Sequence, residues 1–175
     1  SGVRTSLVSS KIIEANLQPS IDAIFPGKVF RNNTFGPYPG IIKNKFFEKI
    51  IRGYYKILGE KFYWNKVSCG WGDNFKTCDI ENAERSLGKP DLIWGVCGGL
   101  LEGGIAAYKI SQHFGCDFIY ELHDPPLRTI PEFGGICLQN RYNDIINSSF
   151  KVVVNAEYYL EYLKKEKVFY PENKF

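Results

Sequence analysis

The chain has 175 residues, a mass of 20.0 kDa and a formal net charge of +3. Its 44% hydrophobic content can bury a core in one domain without disulfides or metal, and the modest charge shows no basic patch that indicates nucleic acid. No apolar run approaches the roughly 18 residues of a membrane-spanning helix and no signal peptide is recognisable, so we expect no segment to span a membrane.

The first 44 residues predict a helix, a strand and a loop. The apolar spacing from Val3 to Leu17 is typical of a helix, and Ser20 to Phe25 is predicted as a strand. Residues 26–44 are rich in Asn, Gly and Pro, which favours a loop or small hairpin at the ligand edge of a sheet.

A basic amphipathic helix is predicted from Lys45 to Lys61. Its apolar residues recur at helical spacing on one face: Phe46, Phe47, Ile50, Ile51, Tyr54, Ile57 and Leu58. Two interpretations stay open. Such a helix covers one face of a sheet and keeps its charged side in water, or it lies in the interface of a bilayer as a peripheral membrane contact.

The next segments predict a strand, a loop and a short helix. Phe62 to Val67 is predicted as the strand, and Ser68 to Thr77 as a loop that carries Trp71. A helix is predicted from Asp79 to Leu87, with Asp79 as its N-cap because a carboxylate there accepts from the first free backbone N–H groups.

Residues 89–124 predict a strand, a helix and a second strand. Asp91 to Val96 is a nearly continuous apolar run, typical of a parallel strand covered on both faces. A helical pattern from Ile105 to Phe114 ends at Gly115, which favours a helix C-terminus. Phe118 to Leu122 is the second strand, and the right-handed crossover rule makes it parallel to the first.

Polar residues follow that second strand directly. His123 and Asp124 are predicted just past its end, at the edge where open parallel sheets bind their ligands. A further strand and helix are predicted at Lys151 to Asn155 and Ala156 to Lys165. The alternation predicts an α/β fold with a Rossmann-like, doubly wound and mostly parallel sheet that carries helices on both faces.

Four glycines lie between the first of these strands and its helix: Gly98, Gly99, Gly103 and Gly104. A bare backbone at a helix amino end can offer N–H groups to a phosphate or sugar oxygen. The spacing is not the dinucleotide-binding G-x-G-x-x-G, and close packing of the helix on the strand explains the glycines equally well. Both explanations stay open.

The five cysteines are odd in number and widely spaced: Cys69, Cys78, Cys97, Cys116 and Cys137. No C-x-x-C pair or zinc-type spacing is present. This pattern favours reduced, buried thiols in a cytoplasmic protein over disulfides or a metal site.

Three runs of the chain resemble a known family: KPDLIWGVCGG, GGIAAYKISQHFGCDFIYELHD and SSFKVVVNAEYYLEYLKKE. They are similar to the amino-terminal half of a family 4 retaining glycosyltransferase of the GT-B fold. In that family a PD(I/L)I strand precedes a small-residue helix, a strand ending in His follows, and a later apolar strand runs into a helix. The likeness covers residues 80–170 well and 1–20 weakly, and ELHD is its most specific part. Members of the family begin with a strand and a Gly-Gly loop before their first helix, whereas this chain starts inside the predicted helix, so we expect that first strand to be missing.

The resemblance implies that residues 1–175 are the acceptor-side domain of such an enzyme, and that its C-terminal nucleotide-sugar domain is absent from this chain. It implies transfer of a sugar, with retention, from a nucleotide-sugar to a polysaccharide or lipid-linked glycan acceptor. No cofactor is implied beyond the donor substrate. We expect the fragment to be inactive alone and the enzyme to work in the cytoplasm, at or near the inner face of the membrane.

The resemblance also implies site residues. His123 is the catalytic candidate, since the matching histidine of the family contacts the donor sugar near the reacting carbon; a histidine satisfied by Asp124 in a tight turn is the plainer alternative. The candidates for substrate binding are Gly2, Arg4, Gly98, Gly99, Glu121, Asp124 and Arg128. Of these, Gly2, Arg4 and Arg128 are expected near phosphate groups.

Other side chains are less specific. The aromatic residues Tyr38, Trp71 and Phe133 can stack on sugar faces or simply pack within their own loops. His113 is predicted as a surface residue at the end of a helix. The alternative to an enzyme is a stand-alone Rossmann-like module with a binding or regulatory role, for which ELHD is only a strand end.

Overall fold

A computed structural model describes residues 6–10, 29–32, 72–98, 101–124, 135–165 and 171–175, together with single positions between 46 and 69. Its strands are β1 (Leu7–Ser10), β2 (Val29–Asn32), β3 (Leu92–Gly98), β4 (Asp117–Asp124) and β5 (Lys151–Val154). Its longer helices are α1 (Thr77–Leu87), α2 (Glu102–Phe114), α3 (Gly135–Ser148) and α4 (Glu157–Lys165), and a 3₁₀ turn occupies Glu172–Lys174. This is an α/β architecture of the Rossmann-like type, which confirms the predicted fold class.

The strands form two parallel groups. In the first group β3, β4 and β5 lie side by side in chain order, with Trp94 opposite Ile119 and Tyr120 opposite Val152. Consecutive right-handed crossovers place α2 and α3 on the same face of this sheet, and the two helices contact each other there. In the second group β1 pairs with β2, and β2 contacts α1.

The main core lies between this sheet and its helices. Alternate residues of β4, namely Phe118, Tyr120 and Leu122, are fully buried because successive side chains of a strand point to opposite faces. They pack in one cluster with residues of the neighbouring elements: Leu101, Ile105, Tyr142, Ile145, Ile146, Val152, Tyr159 and Leu163. Each of these large side chains contributes about 1.5–3 kcal/mol of burial free energy, so this cluster holds β4 firmly in place.

Glycines allow α2 to approach the sheet closely. A Cβ on Gly103 would lie 2.0 Å from the carbonyl oxygen of Val96, and one on Gly104 would lie 2.5 Å from the ring of Tyr120. Close packing of the helix on the strands therefore accounts for Gly103 and Gly104. At the other end of α2, Gly115 has a left-handed φ of 64°, which confirms the predicted C-terminal stop.

Several local predictions were wrong, either in the type of element or in its boundaries. Leu7–Ser10 is a strand and not part of a helix, because parallel pairing with β2 outweighs the helical apolar spacing; the inference of a missing first strand loses its basis. The predicted loop at 26–44 contains β2. Gly72 to Asn74 form a helical turn within the predicted loop at 68–77.

Asp79 is not the N-cap of α1. The helix begins two residues earlier, at Thr77, and Asp79 sits in its first turn, where its carboxylate accepts from the backbone N–H of Lys76 at 2.9 Å. The predicted strands at 20–25 and 62–67 lie outside the described residues. The predicted helix at 45–61 is helical at each of its described positions, which include Phe46, Ile50 and Ile57.

Candidate functional site

A tryptophan, a glutamate and a histidine meet on the side of the sheet that faces away from α2 and α3. Glu121 and His123 alternate with the buried Tyr120 and Leu122, so both project from this opposite side. Nε2 of His123 lies 2.6 Å from Oε1 of Glu121, and Nε1 of Trp94 donates to Oε2 of Glu121 at 2.5 Å. We call these three residues the Trp–Glu–His cluster.

The register of β3 and β4 explains how Trp94 reaches Glu121. Trp94 is opposite Ile119, and Glu121 is opposite Val96, so the indole spans the diagonal between neighbouring strands. A diagonal pair on one sheet face lies within reach of an aromatic side chain. The hydrogen bond therefore fixes one carboxylate oxygen and leaves the other for the imidazole.

This arrangement determines what the imidazole can do. With Nε2 held against a carboxylate, that nitrogen carries the proton, and Nδ1 is the nitrogen that accepts from, or when protonated donates to, a ligand. A carboxylate that fixes the tautomer and orientation of a histidine is a recurring device for positioning a polar group. The side chain of His123 is 48% exposed, so a ligand can reach it.

Backbone contacts stabilise the end of β4 on which His123 sits. The carbonyl oxygen of His123 accepts from Nδ2 of Asn155 at 2.9 Å, which ties it to the residue that follows β5. His123 and Asp124 lie within the last two positions of the strand and not beyond it, which corrects the predicted boundary. The ladder continues because Asp124 pairs with Gly98 of β3 across a register shift.

The structure thus brings together four of the predicted site residues at the carboxyl end of β3 and β4: Gly98, Glu121, His123 and Asp124. The other candidates, Gly2, Arg4, Gly99 and Arg128, lie outside the described residues, as do Tyr38, Trp71 and Phe133. His113 is exposed in the last turn of α2, with its ring edge-on to Phe114 at 4.7 Å between centroids, as predicted for a surface residue.

Trp94 is the cluster member that the sequence alone did not predict. In the sequence it is one residue of the apolar run from Asp91 to Val96. The sequence did contain one indication of its role. Trp94 and Val96 are two residues apart and therefore project from the same face of β3, and the neighbouring parallel strand β4 ends in Glu-x-His at the same edge of the sheet. Only the register, which the sequence does not supply, shows that the indole N–H falls on Glu121.

A second polar cluster fastens residues 72–75 to the helices. Nζ of Lys109 donates to the carbonyl oxygens of Gly72 and Asp73 at 2.8 Å each and to that of Phe75 at 3.1 Å. Arg141 of α3 forms an ion pair with the carboxylate of Asp73. These contacts attach residues 72–75, which form no β-strand, to α2 and α3. We therefore assign this cluster a structural role.

Burial affects both cations of this cluster. It lowers the pKa of Lys109, and the nearby carboxylate of Asp73 opposes that change. Burial is the largest single influence on the pKa of Arg141 and acts to lower it, but hydrogen bonds and charge interactions with Asp73 and Cys69 together outweigh the burial, and the pKa is raised.

The described residues hold no group of three or more His, Cys, Asp or Glu side chains arranged for a metal ion. In the same part of the chain, no helix combines the length and apolar character needed to cross a membrane. No protein-family model matches the chain, and neither the curated proteins nor the solved structures contain a match to it.

Proposed function

We propose that this chain is the acceptor-side domain of a retaining glycosyltransferase that uses a nucleotide-sugar donor. The observation that supports the proposal best is the exposed His123 at the carboxyl end of β4, oriented by Glu121. In this role Nδ1 of His123 hydrogen-bonds a hydroxyl group of the sugar and positions it; no nucleophile from the protein is needed.

The proposal requires a second α/β lobe that binds the nucleotide and completes the site. Gly98, Glu121 and Asp124 at the edge of the sheet are proposed to bind the substrate, and Gly2, Arg4, Gly99 and Arg128 are proposed to contact its phosphate or sugar groups. The acceptor is a growing polysaccharide or a lipid-linked glycan, and the enzyme works in the cytoplasm. No further cofactor is proposed.

Among the residues that the structure describes, no specific contact favours the alternative, a binding or regulatory module without catalysis. The two are distinguished with the complete protein that contains this chain. A panel of nucleotide-sugars is screened by thermal shift, and each stabilising donor is then incubated with glycan acceptors while release of the nucleoside diphosphate is measured. Donor-dependent release supports the proposal, whereas binding without release favours the alternative.

A further inference from the structure

An exposed indole ring lies beside the hydrogen-bonding groups of the Trp–Glu–His cluster. Trp94 is 54% exposed although its Nε1 donates to Glu121. Leu92 and Val96, two residues before and after it, project from the same face of β3 and are 50 and 52% exposed. The sheet therefore presents an apolar surface on β3 directly alongside a carboxylate and an imidazole on β4.

The polar groups beside the indole can each form a further hydrogen bond. A carboxylate offers about four acceptor positions, and Trp94 and His123 each occupy one on Glu121. The side chain of Glu121 is 22% exposed and that of His123 is 48% exposed, so a ligand can reach both. Since Nε2 of His123 lies against the carboxylate, the imidazole offers Nδ1 to that ligand.

We propose that the indole of Trp94 is the stacking platform of a sugar subsite, in which one pyranose ring lies on the indole face and its hydroxyl groups bond to Glu121 and His123. The inference rests on the proposed function, from which it takes the sugar as the ligand. It adds the part of the ligand that is recognised, a neutral ring with a C–H face, and gives Trp94 a second role besides orienting Glu121.

The chemistry of this surface matches a pyranose. The electron-rich face of an aromatic ring attracts the C–H groups on one face of a sugar, and the hydroxyl groups on the sugar's rim both donate and accept. Glu121 and His123 are two residues apart on β4, about 7 Å along the strand, a span that one sugar residue covers. The apolar and polar parts of the ligand thus meet the apolar and polar parts of the surface.

Other classes of ligand fit the same surface less well. An anion, such as a phosphate or an anionic lipid headgroup, is repelled by Glu121 and by Asp117, which projects from the same face of β4. An apolar partner, such as a hydrophobic helix, would take the Glu121 carboxylate out of water without adding a donor, which costs free energy. A neutral polyhydroxylated ring has neither disadvantage.

The first test uses the complete protein that contains this chain and the methyl glycosides of glucose, galactose and mannose. Proton NMR follows the C–H signals of each sugar, because the ring current of an indole shifts the signals of a stacked ring upfield. We expect an upfield shift for at least one glycoside and none for sorbitol, an open-chain polyol that has hydroxyl groups without the ring. Binding without an upfield shift, or no binding at all, would overturn the proposal.

Variants then assign the shift to Trp94. Trp94→Ala removes the platform, so it should abolish the upfield shift and weaken binding roughly tenfold. Trp94→Phe keeps a ring that can stack, so binding should weaken no more than about threefold although the bond to Glu121 is lost. The control is Tyr158→Ala, which removes an exposed aromatic ring from α4 and should change the affinity by less than about twofold. An affinity of Trp94→Ala equal to that of the unchanged protein overturns the proposal.

Transfer is measured in parallel, so that failure of the subsite and failure of the proposed function can be told apart. Sugar binding that depends on Trp94, in a protein that releases no nucleoside diphosphate from any donor, supports the subsite and contradicts the transferase. Donor-dependent release with a KM for the sugar substrates that Trp94→Ala leaves unchanged supports the transferase and contradicts the subsite.

Discussion

The indole N–H of Trp94 donates to Oε2 of Glu121 at 2.5 Å and thereby joins two parallel strands on the exposed side of the sheet. Glu121 is held from one side by this bond and contacts His123 from the other. The orientation of the imidazole therefore depends on a residue of the neighbouring strand, 29 positions earlier in the chain.

Trp94→Phe tests this dependence. The substitution keeps an aromatic ring but removes the donor, so Glu121 gains freedom and His123 loses its fixed orientation. We expect turnover in the proposed transfer reaction to fall roughly tenfold, which corresponds to about 1.4 kcal/mol. Two-dimensional NMR of the imidazole should report altered nitrogen shifts. Unchanged shifts together with unchanged turnover would show that the bond has no positioning role.

Lys109→Met tests the second polar cluster, which attaches residues 72–75 to α2 and α3. The change leaves the carbonyl oxygens of Gly72, Asp73 and Phe75 without the Nζ donor. Because removing a donor to partly buried acceptors costs about 1–3 kcal/mol, the free energy of unfolding measured in urea should decrease by that order. The matched control is Lys151→Met, whose Nζ makes one exposed bond to the carbonyl oxygen of Asn173. Equal effects of the two changes would contradict the account.

The reactivity of Cys116 should depend on pH in a defined direction. Burial raises the pKa of its thiol above the ordinary value of 9.0. Since the thiolate is the reactive form, alkylation by iodoacetamide should reach half its maximal rate above pH 9.0. Mass spectrometry of the modified peptides measures this rate, with the exposed Cys78 as an accessible reference and the buried Cys69 as a protected one.

The raised pKa of the Cys116 thiol also affects the stability of the folded protein. A thiol whose pKa is higher in the folded than in the unfolded state binds its proton more tightly when folded. Its contribution to stability is therefore fully present below pH 9.0 and is lost as the pH rises through the folded pKa. Cys116→Ser should remove this part of the alkaline loss in a urea titration series. A pH profile identical to that of the unchanged protein would contradict the prediction.

Much of the second half of the fold could be predicted from local patterns. The runs that became β3, β4 and β5 are short and apolar, and Gly115 marks a helix end by its own conformational preference. The first half was harder, because the strand at Leu7–Ser10 depends on a partner that is distant in sequence. Local spacing cannot reveal such pairing, and there it indicated a helix.

The site was predicted in part for the same reason. His123 and Glu121 could be predicted from the ELHD run at the end of an apolar strand and from its resemblance to the glycosyltransferase family; the structure shows that alternation along β4 places the two side chains together. Trp94 and Asn155 could not, since their roles depend on register and on contacts between separate elements. Lys109 gave no signal at all, because a lysine that binds three backbone carbonyl oxygens resembles any helical surface lysine in sequence.

The most direct test of the central claim is the rate of sugar transfer by the complete protein carrying His123→Ala. His113→Ala is the matched control, since His113 is exposed at the end of α2 and lies outside the Trp–Glu–His cluster. If His123 positions the sugar, its loss should lower turnover roughly tenfold to a hundredfold while folding stays intact, because a lost hydrogen bond in the transition state costs about 1.4–2.8 kcal/mol. Turnover near normal with His123→Ala, or an equal loss with His113→Ala, would contradict the claim.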